Sequence, residues 1–304
     1  MRLITESTQV DKIRFLFAIP FLRHIFPEQT GWTKQTEVIE ETCSLMRDIV
    51  QEHKETYDED NMRDFVDVYL REMKNTPDQS FSEEQLLVVT MDLFSAGSET
   101  TATTLAWAVC FMILHPEIQV RVQEEIDSVL GDRPPTLDDR GQLVFTEATI
   151  MEIQRLGSIA GMAVPHRALE DIHVRGYRIP KDTMIWSILY YIMRDPDYWK
   201  DPDTFYPERF IGEDGKIIKE ERFVPFGIGE IPDSTKQSEQ KHILGKRICI
   251  GESLARTELF IIFTRLFQMF SFESCEGHTK PTEDPYFAFI VSPKPFYCKA
   301  VARS

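Results

Sequence analysis

The sequence lacks the features typical of disulfide-rich, membrane-spanning and nucleic-acid-binding proteins. Its five cysteines are scattered and include no C-x-x-C pair, which predicts neither a disulfide framework nor a zinc cluster and favours a reducing compartment. The longest early apolar run, Phe15–Leu22, is too short to cross a bilayer and contains Pro20, so we expect no membrane anchor here. It is either a buried loop, the favoured alternative, or a segment that lies against a membrane surface. Only 34 basic residues oppose 50 acidic ones, a net charge of −16 that argues against nucleic acid as a partner.

The pattern of apolar residues predicts a mainly α-helical chain with a minor β part. The 304 residues are 42% hydrophobic and 28% charged, which is typical of a folded globular protein with its own core. Ser82 and Gln85 form a capping-box pattern at the start of a helix that we expect to run from Glu83 to His115, before Pro116. Its apolar residues occur nearly all round, which predicts a central helix. Other helices are expected within 34–76 and over 116–131, 145–156 and 252–270, and a small antiparallel sheet over 173–187.

The middle of the long helix carries an unusual stretch, Ala96–Thr101, with the sequence Ala-Gly-Ser-Glu-Thr-Thr. Glycine inside a helix costs about 1 kcal/mol relative to alanine, so its presence requires a reason. One reason is the close approach of a flat ligand to the backbone, and the alternative is a helix crossing built on small residues. Glu99 beside Thr100 favours the first, because a carboxyl next to a hydroxyl can pass protons from water to a bound polar guest.

A second candidate feature is a charged pair on a later helix. Glu152 and Arg155 lie three residues apart and therefore share one helix face. An exposed pair of this kind is ordinary. A buried pair would need further hydrogen-bond partners to offset its desolvation, and Arg209 is the available candidate.

The most informative stretch surrounds Cys249. A cysteine directly before a helix, with Arg247 two residues away, has its thiolate stabilised by the helix dipole, by free backbone N–H groups and by positive charge. Such a thiolate can bind iron, and glycines at 227, 229 and 251 would let a planar macrocycle approach the backbone. The alternative is an inert buried cysteine.

These stretches, in this order and approximate spacing, resemble the cytochrome P450 family. The similarity is greatest to the microsomal, animal family-2-like group, as in the segments Phe81–Gln85, His115–Glu117, Val164–Arg167 and Arg175–Pro180. The resemblance implies the cytochrome P450 fold with its N-terminal portion missing, in a single partial haem-thiolate monooxygenase domain over residues 1–304. It covers the whole chain but little more than half of a typical member.

The resemblance also implies a role for each candidate residue. Cys249 would be the thiolate ligand of the iron of haem b, iron protoporphyrin IX. Arg247 and His166 would hold the haem propionates, while Phe226, Gly227 and Gly251 would shape the ligand loop. Glu99 and Thr100 would guide protons to the oxygen site. The remaining implied residues are a structural network of Glu152, Arg155 and Arg209, and a substrate pocket that includes Phe94, Ala96, Ala163 and the segment Ser158–Val164.

The implied reaction inserts one oxygen atom from O2 into a small apolar organic substrate. Electrons would come from an NADPH-dependent flavoprotein reductase, and the implied location is the cytosolic face of the endoplasmic reticulum membrane, with peripheral membrane contact. Two alternatives remain open: a truncated, non-catalytic remnant unable to retain haem, and a haem-thiolate isomerase or dehydratase that needs no reductase, which Glu99 and Thr100 disfavour.

One segment departs from the family pattern. Residues 230–245 separate Phe226–Gly229 from Lys246–Cys249, which would be contiguous in the family, and the polar composition of this segment predicts a flexible insert. We hypothesise that it is a retained intron in the gene model, because its edges can be encoded by splice-like sequences and its length keeps the reading frame. A genuine loop is the alternative, with a closure cost that rises only slowly with length.

Overall fold

The computed structural model describes residues 19–76, 80–227 and 248–303, and within them the chain is mainly helical, as predicted. The α-helices are α1 (Leu22–Ile25), α2 (Trp32–Glu55), α3 (Phe65–Asn75), α4 (Glu83–Leu114), α5 (Pro116–Leu130), α6 (Val144–Gly157), α7 (Leu189–Ile192) and α8 (Glu252–Met269). Single 3-10 turns occur at Leu137–Asp139 and Pro207–Phe210. The long helix begins at the predicted residue, where the Gln85 N–H donates to Ser82 Oγ at 3.1 Å, and ends just before Pro116.

The chain divides into two compact units between Glu99 and Thr100, inside α4. The first unit contains α1 to α3 and the first half of α4. It has a small apolar core to which α2, α3 and α4 contribute, formed by Val50, Val66, Tyr69, Leu70 and Leu86. Asp64 caps the start of α3 by accepting hydrogen bonds from the N–H groups of Val66 and Asp67.

The second unit holds the larger core. The second half of α4 packs there with α5, α6 and α8, through buried side chains that include Trp107, Phe111, Ile126, Leu143, Ile153, Phe260, Phe263 and Phe267. The Trp107 indole N–H donates to the carbonyl oxygen of Val291 at 3.1 Å, which satisfies its one polar group inside this core. Nearly all of α6 is buried, which fixes the helix that carries Glu152 and Arg155.

The long helix is central only in part. Trp107, Cys110 and Met112 in its second half are 0 to 1% exposed, whereas Val88 and Phe94 in its first half are 52% and 46% exposed. The prediction of a helix buried all round was therefore wrong for the first half. Apolar residues around a helix show that it can be buried on every side, but burial also requires neighbouring elements. In this stretch Leu86 is buried in the small core, whereas Val88 and Phe94 are not covered by any described element.

Within the described residues, the β part consists of four two-stranded antiparallel ladders. The strands are β1 (His166–Arg167), β2 (Ile172–Val174), β3 (Tyr177–Ile179), β4 (Met184–Ile185), β5 (Phe270–Ser274), β6 (Pro285–Tyr286), β7 (Ser292–Pro293) and β8 (Cys298–Ala302), paired β1–β4, β2–β3, β5–β8 and β6–β7.

The single small sheet expected over 173–187 is instead split between two ladders. Arg175 and Gly176 both have positive φ, which closes β2 and β3 into a hairpin of their own. β4 does not join this hairpin but pairs with the earlier strand β1, so that Ile185 lies opposite His166. The short runs of apolar residues locate these strands, but only the turn geometry selects their partners.

Among the described helices, none is by itself long and apolar enough to span a bilayer. α4 and α5 satisfy the length and composition requirement only when taken together, across a bend of 110°.

Candidate haem-binding site

The turn that leads into α8 presents the thiol of Cys249. Gly251 is the N-terminal cap of this 18-residue helix. The Cys249 backbone N–H donates to the carbonyl oxygen of Phe226 at 3.0 Å, and the Cys249 carbonyl oxygen accepts from the Glu252 N–H at 3.2 Å. The residue is exposed, and its sulfur has no hydrogen-bond partner among the described residues. The inert buried cysteine considered from the sequence is thereby excluded.

The segment that ends at Phe226 and Gly227 is held against the start of α8. The guanidinium of Arg256 lies 4.9 Å from the centre of the Phe226 ring, and its Nε donates to Glu252 Oε1 at 2.9 Å. Arg256 was not among the residues singled out from the sequence. The spacing of Glu252 and Arg256, four residues apart on one helix, was the signal that could have identified this pair.

Gly227 and Gly251 serve different purposes. Gly227 has φ +92°, a backbone conformation that residues with a Cβ rarely adopt, and its N–H donates to the Val224 carbonyl oxygen at 3.1 Å. A Cβ at Gly251 would lie 3.8 Å from Cys249 Sγ, in van der Waals contact with the sulfur. Glycine at 251 therefore leaves the side of the thiol open.

The donor set around Cys249 fits a haem iron. An exposed sulfur without a hydrogen-bond partner among the described residues lies in the turn before the N-terminus of α8. A cysteine thiolate is an established ligand of haem iron, and glycine at 251 places no side chain against the sulfur. Cys249 is thus the residue that could hold the cofactor's metal.

Of the two residues predicted to hold the haem propionates, Arg247 and His166, only His166 lies within the described residues. Arg247 lies outside the described residues, as do Gly229 and the segment 230–245. His166 lies in β1 and is half-buried, and its imidazole has no hydrogen bond or ion pair among the described residues. An imidazole without a partner is suited to an anionic group such as a propionate.

Glu99 and Thr100 are neighbours in the interior of α4, as predicted, but Glu99 belongs to the first unit and Thr100 to the second. Burial raises the pKa of the Glu99 carboxyl above its usual value. The Thr100 carbonyl oxygen accepts a hydrogen bond from Thr104 Oγ1 at 2.9 Å. Gly97 lies two residues before Glu99, and a Cβ placed on it would meet no described neighbouring atom within 4 Å. This favours open space beside the stretch over a tight helix crossing.

The buried network predicted around Glu152 is confirmed. Glu152 and Arg155 are both 0% exposed and form a two-pronged ion pair, Nε to Oε2 at 2.7 Å and Nη2 to Oε1 at 2.8 Å. Arg209 Nε donates to Glu152 Oε1 at 3.0 Å, and the Tyr206 N–H reaches the same oxygen at 3.0 Å. Arg155 Nη1 also donates to the carbonyl oxygens of Met193 and Pro202. The network therefore joins α6 to the loop that precedes the Phe226 segment.

The predicted substrate-contacting residues lie on separate elements. Phe94 and Ala96 are exposed on α4 in the first unit. Ser158 ends α6 in a left-handed conformation, and Arg194 Nη1 donates to its hydroxyl oxygen at 2.9 Å. Ala163 is tied to Ser187 by a backbone hydrogen bond of 3.0 Å. Arg194, which sequence reasoning missed, supports the end of α6 from a position that no spacing rule links to it.

An internal cavity between α4, α6 and α8 is too small for an organic substrate. Its volume is about 10 Å³, room for about one water molecule, and its lining is apolar except for Thr104. Thr104 already donates to Thr100, so the cavity offers no free donor that would hold a guest.

Comparisons with known proteins show which family the chain is similar to. A family model described as cytochrome P450 matches residues 2–230 and 244–300. Cytochrome P450 2U1 from Homo sapiens is 40% identical over 288 residues, which are 93% of this chain and 48% of that protein. Cytochrome P450 2D6 from Homo sapiens is 40% identical over 293 residues, 95% of this chain and 55% of that protein. The chain spans about half the length of the curated relatives it matches.

A solved structure of a zebrafish cytochrome P450, described as containing progesterone, matches with a TM-score of 0.75 and 31% sequence identity. The match covers 87% of this chain and 58% of that one.

Proposed function

Because the chain belongs to the cytochrome P450 family, we propose that it is the haem-binding portion of a haem-thiolate monooxygenase. The reaction would insert one oxygen atom of O2 into a small apolar organic substrate, with electrons from an NADPH-dependent flavoprotein reductase. The observation that carries the proposal is the unpartnered thiol of Cys249, exposed at the start of α8 and linked through its backbone to Phe226.

In this proposal each candidate residue contributes to binding. Cys249 holds the iron of haem b, Arg247 and His166 hold the propionates, and the glycines at 227 and 251 let the loop approach the cofactor. Haem, when bound, supplies the reductive activation and cleavage of O2, which a thiolate ligand favours. The two units would both belong to one monooxygenase domain.

Glu99 and Thr100 would manage protons. The raised pKa of Glu99 brings its proton closer to exchange near neutral pH, which suits a group that takes protons from water and passes them on. Thr100 would receive the proton through its hydroxyl. The exposed side chains of Phe94 and Ala96, together with Ala163 and the segment 158–164, would contact the substrate.

Residues 230–245 would interrupt the cofactor loop. The family match skips the residues between 230 and 244, which overlap this segment. Transcript reads across Gly229 to Lys246 distinguish the two origins, since reads that contain all of these codons in abundance contradict a retained intron. If the segment is an interruption, a variant that lacks residues 230–245 will retain more haem than the complete chain.

The second candidate is a non-catalytic remnant that cannot retain haem. It is favoured by one observation, the break in the family match between residues 230 and 244, next to the cofactor loop. For the first candidate, the monooxygenase, we also propose the location implied by the family, the endoplasmic reticulum membrane.

One experiment separates the two candidates. The complete chain is loaded with haem, and haem content is measured together with the transfer of isotopically labelled oxygen from O2 to an apolar alkyl-ether probe, in the presence of NADPH and a flavoprotein reductase. Cys249→Ser is compared with Cys298→Ser, which also changes an exposed cysteine. Haem and labelled product in the wild type and Cys298→Ser, but not in Cys249→Ser, support the proposal. Absence of haem from all three proteins contradicts it and supports the remnant.

A further inference from the structure

His53, near the end of α2, makes two short polar contacts that a neutral imidazole cannot make together. Its Nδ1 lies 2.8 Å from the carbonyl oxygen of Ile49, and its Nε2 lies 2.7 Å from Asp64 Oδ2. A carbonyl oxygen and a carboxylate oxygen can only accept hydrogen bonds, so both ring nitrogens must donate. Neutral imidazole carries one N–H and imidazolium carries two. The two distances therefore favour the protonated ring.

Asp64 connects this contact to the start of α3. Its Oδ1 accepts from the N–H of Val66 at 2.9 Å and from the N–H of Asp67 at 3.3 Å, which makes it the N-terminal cap of the helix. Its Oδ2 accepts a hydrogen bond from His53 Nε2 at 2.7 Å. The same carboxylate thus caps α3 and binds α2, and the residues 56–63 between the two helices are closed into a loop by this contact.

The other charged groups around His53 are Asp67 and Arg63, which largely neutralise each other. Arg63 Nε donates to Asp67 Oδ2 at 2.7 Å and Arg63 Nη2 donates to Asp67 Oδ1 at 2.8 Å, while Asp67 itself is fully buried. Glu52, on the same helix as His53, adds to the field at Arg63. N–H donors contact the oxygens of both aspartates, so the cluster is an ion-pair network.

The charges favour the protonated ring. Burial has the largest single effect on the pKa of His53 and lowers it, but the hydrogen bond to Ile49, the hydrogen bond to Asp64 and the charge of Asp64 together outweigh burial. The net result is a pKa raised above the ordinary 6.5. The pKa of Asp64 is correspondingly lowered, since its bonds to His53 and to the backbone outweigh burial.

We propose that His53 is a pH-sensitive link, which in its protonated form ties the end of α2 to the cap of α3 and in its neutral form releases one of its two contacts. Because the folded protein binds this proton more tightly than the unfolded chain, the stabilisation is fully present below pH 6.5 and is lost as the pH rises through the raised folded-state value. The loop 56–63 and the first turn of α3 then open more often. This link is independent of haem and of the proposed oxygenase activity.

The test is an NMR titration of the complete chain with isotope-labelled histidine. The His53 signal is identified by its loss in His53→Gln, and His173→Gln, which changes an exposed histidine in the second unit, is the control. We expect the His53 ring to titrate above pH 6.5 and to carry protons on both nitrogens below that value. A ring that titrates at or below 6.5, or that carries a single proton at pH 6, overturns the proposal.

Hydrogen exchange provides a second measurement. After correction for intrinsic exchange, protection of the Val66 and Asp67 amides should fall about tenfold in the wild type and in His173→Gln between about pH 6 and pH 8, as expected for loss of a charge-assisted hydrogen bond. The fall should be absent in His53→Gln. The same pH dependence in His53→Gln and in the wild type contradicts the link. If His53→Gln does not fold, the His53 signal is assigned by elimination, with His→Gln substitutions at the other six histidines, and the wild-type ring titration then decides.

Discussion

Replacing Glu152 by glutamine tests whether the buried ion network holds the second unit together. Glutamine keeps the shape of the side chain but removes the negative charge that balances Arg155 and Arg209. Arg155 is 0% exposed and the Arg209 side chain 8% exposed, so water cannot replace the lost partner. Removing one partner of a buried pair costs about 3 to 5 kcal/mol of unfolding free energy. For a unit of this size that corresponds to a fall in melting temperature of about 6 to 20 °C.

The measurement is urea and thermal unfolding followed by circular dichroism. Asp284→Asn is the matched control, because it removes the carboxylate of an exposed ion pair with Lys294, whose side chains are 51% (Lys294) and 73% (Asp284) exposed. A surface pair of this kind contributes about 0 to 1 kcal/mol. If Glu152→Gln and Asp284→Asn lower the free energy of unfolding by the same small amount, the buried network does not stabilise the second unit as proposed. The argument that burial makes this ion pair costly to break is then refuted.

Three further outcomes are expected. Gly227→Ala should destabilise the Phe226–Gly227 turn by about 1 to 2 kcal/mol, because φ is +92° there, and the effect is measured as a loss of haem retention. Gly141→Ala should have little effect, because a Cβ at that position meets no described atom. Cys110 should resist alkylation in the folded protein while Cys249 reacts, because burial raises the pKa of the Cys110 thiol to about 12; mass spectrometry that finds equal labelling contradicts this. Hydrogen bonding to Arg63, partly opposed by burial, lowers the pKa of Asp67 to about 2. The stability that this contact contributes should therefore be complete above pH 4 and decline as the pH falls towards 2. Acid unfolding that is unchanged in Asp67→Asn contradicts this prediction.

The helices and the ion network were predictable because their signals are local. Pro116 and the Ser82 cap mark the ends of α4, and the three-residue spacing of Glu152 and Arg155 places them on one face of α6. Arg209 was a candidate because a buried carboxylate must find enough donors, although it lies 57 residues from Glu152 along the chain. Each of these rules acts within a few residues or follows from a general cost of burial.

The features that sequence missed depend on contacts between distant elements. No periodicity shows that β4 pairs with β1 and leaves β2 and β3 as a hairpin, or that Arg194 supports the end of α6. The exposure of Phe94 depends on which elements cover α4. The two contacts of His53, to the Ile49 carbonyl oxygen and to Asp64, join positions up to 11 residues apart that no spacing rule singles out. The roles of Glu99, Thr100, His166 and Arg247 in binding or catalysis remain predictions.

The most direct test of the central proposal is the absorption spectrum of the reduced, carbon-monoxide-bound protein after haem loading. A sulfur ligand at Cys249 predicts a Soret band shifted to the red by thiolate coordination in the wild type and in Cys298→Ser, and its loss in Cys249→Ser. A shifted band that persists unchanged in Cys249→Ser would show that another group binds the iron and would contradict the assignment of Cys249.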